Sequence, residues 1–379
     1  MNEAGVYIHI PFCRARCSYC DFATGAYESA LAERYVRALS REITCFGAAR
    51  DEKIAVDTIY FGGGTPSLLD PAQVTSILEA VHNSFHVARD AEVTMEMNPG
   101  TVTLAVLKEL RACGLNRASF GAQTFDDLEL RRLGRTHTAE DVRRTIAYLR
   151  EACFTNISFD LIAGLPKQTL DAWTRNLTQA LQLRPEHLSL YLLEVHEGTP
   201  LAAQIRRGAL PQPDDDLAAE MYLLMLDKTT AAGYEHYEIS NFCLPGYESR
   251  HNTKYWIGDP VYGFGASAHS FDGARTRWSN ERDAARYTEA IEARRTPIVE
   301  INELDENERE AEAVFLGLRL LRGLNLEEHR ARFKTDLRAA RAADLARLVD
   351  AGLIEFDDRV MRLTPTGALL SNEVFAMFA

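Results

Sequence analysis

A chain of 379 residues exceeds what one hydrophobic core usually organises, and its 46% hydrophobic and 26% charged residues are those of a globular protein, so a main domain and a smaller one are expected. The formal charge of −13, with a pI near 5.3, excludes a protein built chiefly to grip phosphate backbones, which needs a basic face. No apolar run approaches the roughly 18–20 residues of a membrane span, and Met1 to Gly5 is too short and polar for a secretion signal, which points to the cytosol.

The first predicted element is a strand over residues 6–10, stopped by Pro11 and followed by a loop carrying Cys13, Cys17 and Cys20 in the spacing C-x3-C-x2-C. A cubane iron–sulfur cluster is held by thiolates, usually four; three leave one iron free for an exchangeable amino-carboxylate chelator. Zinc is the other reading of this spacing, with His9 or a distant cysteine as fourth ligand. The remaining cysteines, Cys45, Cys113, Cys153 and Cys243, show no pattern and read as buried small hydrophobes, and a total of seven does not suit a disulfide framework.

Further strands are predicted at 56–61, 92–97, 117–120, 157–162 and 187–192, alternating with amphipathic helices. Leu31, Val36, Leu39 and Ile43 share one helical face, as do Val74, Ile77, Leu78 and Val81; Asp70-Pro71 reads as a helix start and Gly114 as a stop. Six such units predict an α/β fold, most of a parallel barrel. Glycine-rich or polar signatures follow the strands at Gly62 to Pro66, Asn98-Pro99-Gly100, Gly121-Ala122-Gln123, Gly164-Leu165-Pro166 and Glu194, so several loops point at one site on the carboxyl rim.

A helix is expected over 217–232, then a less regular region rich in aromatics, His, Gly and Asn. The last block reads helix, helix, a hairpin over 353–363 and a helix, the pattern of a winged helix. The expected units are 1–232, 233–306 and 307–379.

The sequence closely resembles the radical S-adenosylmethionine superfamily, in which C-x3-C-x2-C on the first βα loop is the defining motif and a Gly62-to-Pro66-like loop follows the second strand. Within it the match runs nearly end to end with the HemN/HemW branch, through Tyr7-Ile8-His9-Ile10-Pro11-Phe12-Cys13, Gly62-Gly63-Gly64-Thr65-Pro66, Asp160-Leu161-Ile162-Ala163-Gly164-Leu165-Pro166 and His251-Asn252-Thr253-Lys254-Tyr255-Trp256. The resemblance implies a partial (β/α)6 radical-SAM barrel with a mainly helical, winged-helix-like C-terminal domain. It also implies a 4Fe-4S cluster on Cys13, Cys17 and Cys20, and bound S-adenosylmethionine.

Carried over by residue, Tyr7 would hydrogen-bond the cofactor carboxylate, Tyr19 would pack on the adenine, and the backbone of Gly63, Gly64 and Thr65 would meet the amino group. Glu96, Gln123, Arg135 and Asp160 match positions that bind sulfonium, ribose or carboxylate groups, and Glu194 and His269 match further cofactor-lining positions. These residue types suit a ligand with two cationic groups and one carboxylate. Taken singly, Glu96 or Asp160 would read as a capping or ion-paired acid, and the glycines as a turn.

The oxygen-independent coproporphyrinogen oxidases of the branch carry a fourth cysteine where this chain has Phe22, and a longer segment before the motif than the twelve residues here. Where they place an aliphatic residue against a second S-adenosylmethionine, this chain has His269. These departures point to the haem-chaperone side of the branch, which implies haem as ligand, an apo-haemoprotein acceptor as partner, and a homodimer whose assembly depends on the cluster. His251 is the expected axial haem ligand, with Tyr255 and Trp256 as stacking surfaces and His269 and Cys243 as runners-up; the plainer reading has this stretch as loop hydrogen bonds and interface core. A radical enzyme acting on a porphyrinogen stays open. A nucleic-acid-binding regulator built on the winged helix is disfavoured by the acidic and apolar residues of 311–326, so no nucleic-acid partner is expected.

Overall fold

The computed structural model describes residues 3–378; Met1 and Asn2, which the reading of the amino terminus includes, and Ala379 lie outside the described residues. Six strands, β1 (Ala4–Ile10), β2 (Ala55–Gly63), β3 (His86–Met97), β4 (Arg117–Gln123), β5 (Ile157–Ala163) and β6 (His187–Leu192), lie side by side in chain order, all parallel. The crossovers run through α1 (Ser29–Ala48), α2 (Pro71–Ser84), α3 (Leu104–Ala112), the short α4 (Asp127–Arg132), α5 (Ala139–Glu151) and α6 (Leu170–Gln182).

Strand alternation sorts the side chains. Val6, Ile8 and Ile10 of β1, with Ile59 and Phe61 of β2, are buried in the layer shared with the helices, where α1 contributes Tyr35, Val36, Leu39 and Ile43. The other face turns Tyr60, Glu96 and Asp160 into the barrel. Asp70 caps α2 in a reciprocal box with Gln73, as Asp70-Pro71 led one to expect.

Residues 233–306 are more regular than their composition suggested. Beyond β6 the sheet continues antiparallel through β8 (Asn241–Cys243) to β7 (Glu235–Glu238). On the other side β9 (Val261–Phe264) pairs parallel to β1, followed antiparallel by β10 (His269–Phe271), β11 (Thr276–Asn280) and β12 (Ile298–Glu303). The result is one twelve-stranded sheet with β12 and β7 as its edges, an open barrel. Strands of three to six residues built from His, Asn, Trp and Gly carry too short an alternation to be read as strands.

Two further elements position the site. α1 anchors the β9–β10 turn: Tyr35 Oη donates to the His9 carbonyl (2.8 Å) and accepts from Ala266 N–H (2.8 Å), while the half-buried Glu42 carboxylate accepts from Gly265 N–H (2.9 Å), Asn280 and Tyr287. After α7 (Pro200–Arg206) and α8 (Asp215–Ala231), α9 (Arg250–Ile257) covers the amino-terminal end of the barrel. Its first N–H groups, those of Arg250 and His251, donate to the Glu92 carboxylate at 3.3 and 3.1 Å, a helix start resting on an anion.

After α10 (Ala284–Glu292), the C-terminal block packs α11 (Glu306–Arg319), α12 (Leu326–Phe333) and the helix Ala342–Asp350 with a three-stranded antiparallel sheet whose central strand is Val360–Leu363, a winged-helix arrangement. Among the described residues no helix is long and apolar enough to cross a membrane.

Candidate cofactor site at the carboxyl rim of the barrel

The cysteine loop leaves β1 at Pro11 and is tied down on both sides. Ser18 N–H donates to the Leu133 carbonyl (2.9 Å) and the Ser18 carbonyl accepts from Leu201 N–H (2.8 Å), while Tyr27 N–H reaches the Cys13 carbonyl (3.0 Å). Gly134 ends α4 in the left-handed region at φ +73°, a conformation that side chains rarely adopt. Gly64 lets the second loop approach closely, since a Cβ there would lie 2.6 Å from the Phe12 carbonyl.

Cys13, Cys17 and Cys20 are all unpaired and half-buried. Burial pushes the Cys13 and Cys20 thiols up, and their neighbour Cys17 adds to it, so ligation there would release protons. Arg135 Nη1 donates to Cys17 Sγ (3.3 Å) and Thr65 Oγ1 to Cys13 Sγ (3.6 Å), contacts suited to anionic sulfur. A cavity of about 330 Å³ adjoins the loop, lined by Cys17, Thr65, Asn98 and Arg135 among others. The zinc alternative fits less well. His9 has Nδ1 against Tyr7 Oη (3.1 Å) and Nε2 against the Ala23 carbonyl (3.2 Å), and among the described residues no group of three His, Cys, Asp or Glu side chains could hold a single metal ion. A cubane, which offers each thiolate its own iron, suits three thiols on a spread loop with an open side.

Below the loop the barrel is acidic. Glu96 accepts from Tyr60 Oη (2.8 Å) and Gly63 N–H (3.2 Å); burial pushes its carboxyl up to about 7, with those hydrogen bonds opposing and Asp160 reinforcing the shift. Burial likewise raises Asp160 to about 6, against a hydrogen bond from Ser189 and the charges of Arg117 and Arg135. The N–H groups of Gly63, Gly64 and Thr65 are committed to Glu96, the Ile10 carbonyl and the Phe12 carbonyl. On the opposite side Arg135 Nη2 donates to Asn98 Oδ1 (2.9 Å) and to the Gly121 carbonyl (2.5 Å), and Asn98 Nδ2 to Thr65 Oγ1 (2.9 Å). Gln123, buried and left-handed at φ +65°, follows directly, and Tyr19 packs on an apolar patch of Leu133, Ile162 and Leu165.

Tyr7, Tyr19, Gly63, Gly64, Thr65, Glu96, Gln123, Arg135 and Asp160 thus gather around the cysteine loop and the barrel mouth. His269 is exposed on β10, close enough to His9 to lower its pKa behind the larger effect of burial. Glu194 stands apart: it is exposed, with His196 Nε2 3.6 Å from its carboxylate.

From the sequence, Arg117 and Tyr60 had no role at the site, and Asn98 was named only within a rim signature. Arg117 is fully buried and its charge acts on both carboxyls. The signal that could have found it is a charged residue at an inward position of a central strand, which is rare without a partner.

His251 turns inward, as in the plainer reading of this stretch. It is 1% exposed, its Nδ1 hydrogen-bonds Thr58 Oγ1 (2.9 Å) and its Nε2 Tyr255 Oη (3.2 Å). Its ring stacks on Tyr60 at 5.0 Å, and burial, with Lys254 and Arg117 nearby, drops its pKa to about 3. In this conformation neither nitrogen is free for haem iron, and Trp256 lies on another side of α9, under the Arg319 guanidinium (4.3 Å). Helical spacing places Tyr255 beside His251 without saying which way that face turns.

The scattered cysteines also differ from expectation. Only Cys243 is buried; Cys113 is half-buried, and Cys45 and Cys153 are exposed. Burial pushes the Cys243 thiol up to about 12.

Comparison with known proteins gives concordant results. The family profile "Radical SAM superfamily" matches residues 7–178, and "HemN C-terminal domain" matches residues 304–370. The chain is 36% identical to "Heme chaperone HemW" of Bacillus subtilis over 98% of both chains. It is 35% identical to "Radical S-adenosyl methionine domain-containing protein 1, mitochondrial" of Bos taurus, over 100% of this chain and 88% of that one. Among solved structures, the coproporphyrinogen III oxidase HemN of Escherichia coli, described as a radical SAM enzyme, superposes with a TM-score of 0.86 at 26% identity, covering 99% of this chain and 90% of that one.

Proposed function

This chain belongs to the radical SAM superfamily and, within it, to the HemW family, and from that premise we propose that it is a cytosolic haem chaperone that binds haem and passes it to an apo-haemoprotein. The observation that carries the reading is the full-length match to proteins named for that role.

Cys13, Cys17 and Cys20 would hold a 4Fe-4S cluster, and S-adenosylmethionine would chelate its open iron; the pair, when reduced, supplies radical chemistry. Around it, Glu96 and Asp160 as carboxylates would face the sulfonium and ammonium, Glu96 giving up the proton it half-holds near pH 7, Arg135 would pair with the carboxylate, and Tyr19 with its apolar patch would cover the adenine. The division at about residues 232 and 306, and a homodimer that depends on the cluster, belong to the same proposal.

A second reading, a radical enzyme acting on a porphyrinogen, is favoured by the close backbone likeness to HemN. Two residues oppose it: Phe22, 62% exposed where the oxidases have their fourth cysteine, and His269 at the second-cofactor position. The test is anaerobic reconstitution with iron and sulfide, followed by separate assays with haem and with coproporphyrinogen. Haem binding without decarboxylation is expected.

A further inference from the structure

In a chain whose net charge is −13, exposed arginines gather beside the cysteine loop. Arg14 and Arg16 stand exposed on the loop itself, and Arg131 and Arg132 at the end of α4. Two hydrogen bonds hold α4 against the loop, from Ser18 N–H to the Leu133 carbonyl (2.9 Å) and from Ser18 Oγ to the Arg132 carbonyl (3.3 Å). Arg14 borders the same cavity as Cys17 and Gly134, so loop and helix end present one surface.

The fold does not use up this charge. Among the described residues none of the four arginines forms an ion pair, and the side-chain hydrogen bond of Arg16 runs only to the Cys20 carbonyl (3.2 Å). Arginine in the last turn of a helix favours its dipole, which accounts for Arg131 and Arg132 but not for the pair on the loop. The acids of α4 are occupied: Asp126 caps its first turn, Asp127 accepts from Ala139 N–H (2.8 Å), and Glu129 is buried against Thr124. Beyond Cys20 the sign reverses, with Asp21 4.0 Å and Glu194 3.6 Å from His196. Leu128, 57% exposed, precedes Arg131 and Arg132 by three and four residues and so shares their helical face. An apolar side chain flanked by arginines has the composition of a protein-docking surface.

Resting on the cluster assignment above, we propose that the face formed by α4 and the cysteine loop docks a small acidic one-electron carrier protein, with Leu128 as apolar anchor and Arg14, Arg16, Arg131 and Arg132 meeting its carboxylates. Charge complementarity selects the partner's sign: the net charge of this chain repels an acidic protein, and the local arginines reverse that at one place, which orients the encounter. Position selects its class, because the loop that carries Arg14 and Arg16 also carries the thiols that would hold a redox cluster. Electron-transfer encounters use small interfaces of this kind. One electron leaves the carrier's reduced centre and enters the cluster, and no bond is made or broken.

The test uses the reconstituted full-length protein and a plant-type ferredoxin, an acidic iron–sulfur carrier. The variants are Arg131→Glu/Arg132→Glu, Arg131→Lys/Arg132→Lys, Leu128→Ser, and an Arg295→Glu/Arg347→Glu control that changes the net charge equally at exposed sites elsewhere. Calorimetric titration at low salt gives the affinity, and anaerobic mixing with the reduced carrier gives the rate of cluster reduction. The charge reversal at α4 should weaken both by about tenfold or more, the lysine pair should keep most of each, and the wild-type rate should fall as salt is added. Leu128→Ser should weaken affinity and leave the salt dependence unchanged. Dithionite should reduce the cluster equally in every variant. An α4 reversal that weakens binding no more than the control overturns the docking face, as does binding of duplex RNA by the patch in place of the carrier. Wild-type protein that takes up no cluster overturns the cluster assignment itself, a separate outcome.

Discussion

Glu96 and Asp160 face each other's field inside the barrel, and their raised pKa values make cofactor binding pH-dependent. Below about pH 5 both carboxyls are largely neutral and offer a doubly cationic ligand little; above about pH 8 both are largely ionised. Affinity for S-adenosylmethionine should therefore fall as pH drops through that window, by up to about tenfold per pH unit for each titrating group, with protons released on binding. Equilibrium dialysis across that range checks it: Glu96→Gln should flatten the profile, and a flat wild-type profile would show that these carboxyls do not meet the ligand's cations. At the same scale, serine at Cys13, Cys17 or Cys20 should abolish iron and sulfide incorporation while Cys243→Ser incorporates both normally. A full cluster in Cys17→Ser would refute that assignment. These residues were legible in the sequence because their spacing is chemical. Arg117 and His251 were not, because which way an inward side chain faces, and what it meets there, depends on strands and helices distant in the chain.

α9 shows how an element can be recognised and its orientation missed. The side chain of Lys254 is buried on this helix, with Nζ 2.7 Å from Asp57 Oδ1, 2.6 Å from the Glu3 carbonyl and 3.8 Å from Asp259. It thereby fastens the helix to the start of β1 and β2. Removing one partner of a buried ion pair costs about 3–5 kcal/mol, and Asp57 would keep Arg250 at 3.1 Å, so Lys254→Met should destabilise the protein by about 3 kcal/mol. Denaturant unfolding measures this, and a loss under about 1 kcal/mol would mean that α9 is held by its apolar contacts instead. The six parallel strands were readable because each carries several residues of one pattern between helices. The short strands on either side of them form only by adding to edges that β1 and β6 already present, information that a local window does not contain.

The whole molecule places a cofactor loop at one end of an open barrel and closes the other end with a helix that also borders the C-terminal block. The α/β architecture and the helical C-terminal block were both legible, the first from alternating periods and the second from its helices and hairpin. Their join was not, since it lies in the 233–306 region whose strands extend both sides of the sheet. If the whole architecture rather than one missing thiol withholds oxidase chemistry, Phe22→Cys should keep its cluster and still convert no coproporphyrinogen; product from that variant would put the difference in the loop alone. The central claim is transfer, and it is tested most directly by mixing the reconstituted, haem-loaded protein anaerobically with an apo-haemoprotein and following the acceptor's absorption spectrum. Haem should leave this chain and appear in the acceptor, faster than from free haem carried by albumin. Haem that stays bound, together with decarboxylation of coproporphyrinogen in a parallel assay, would contradict the account.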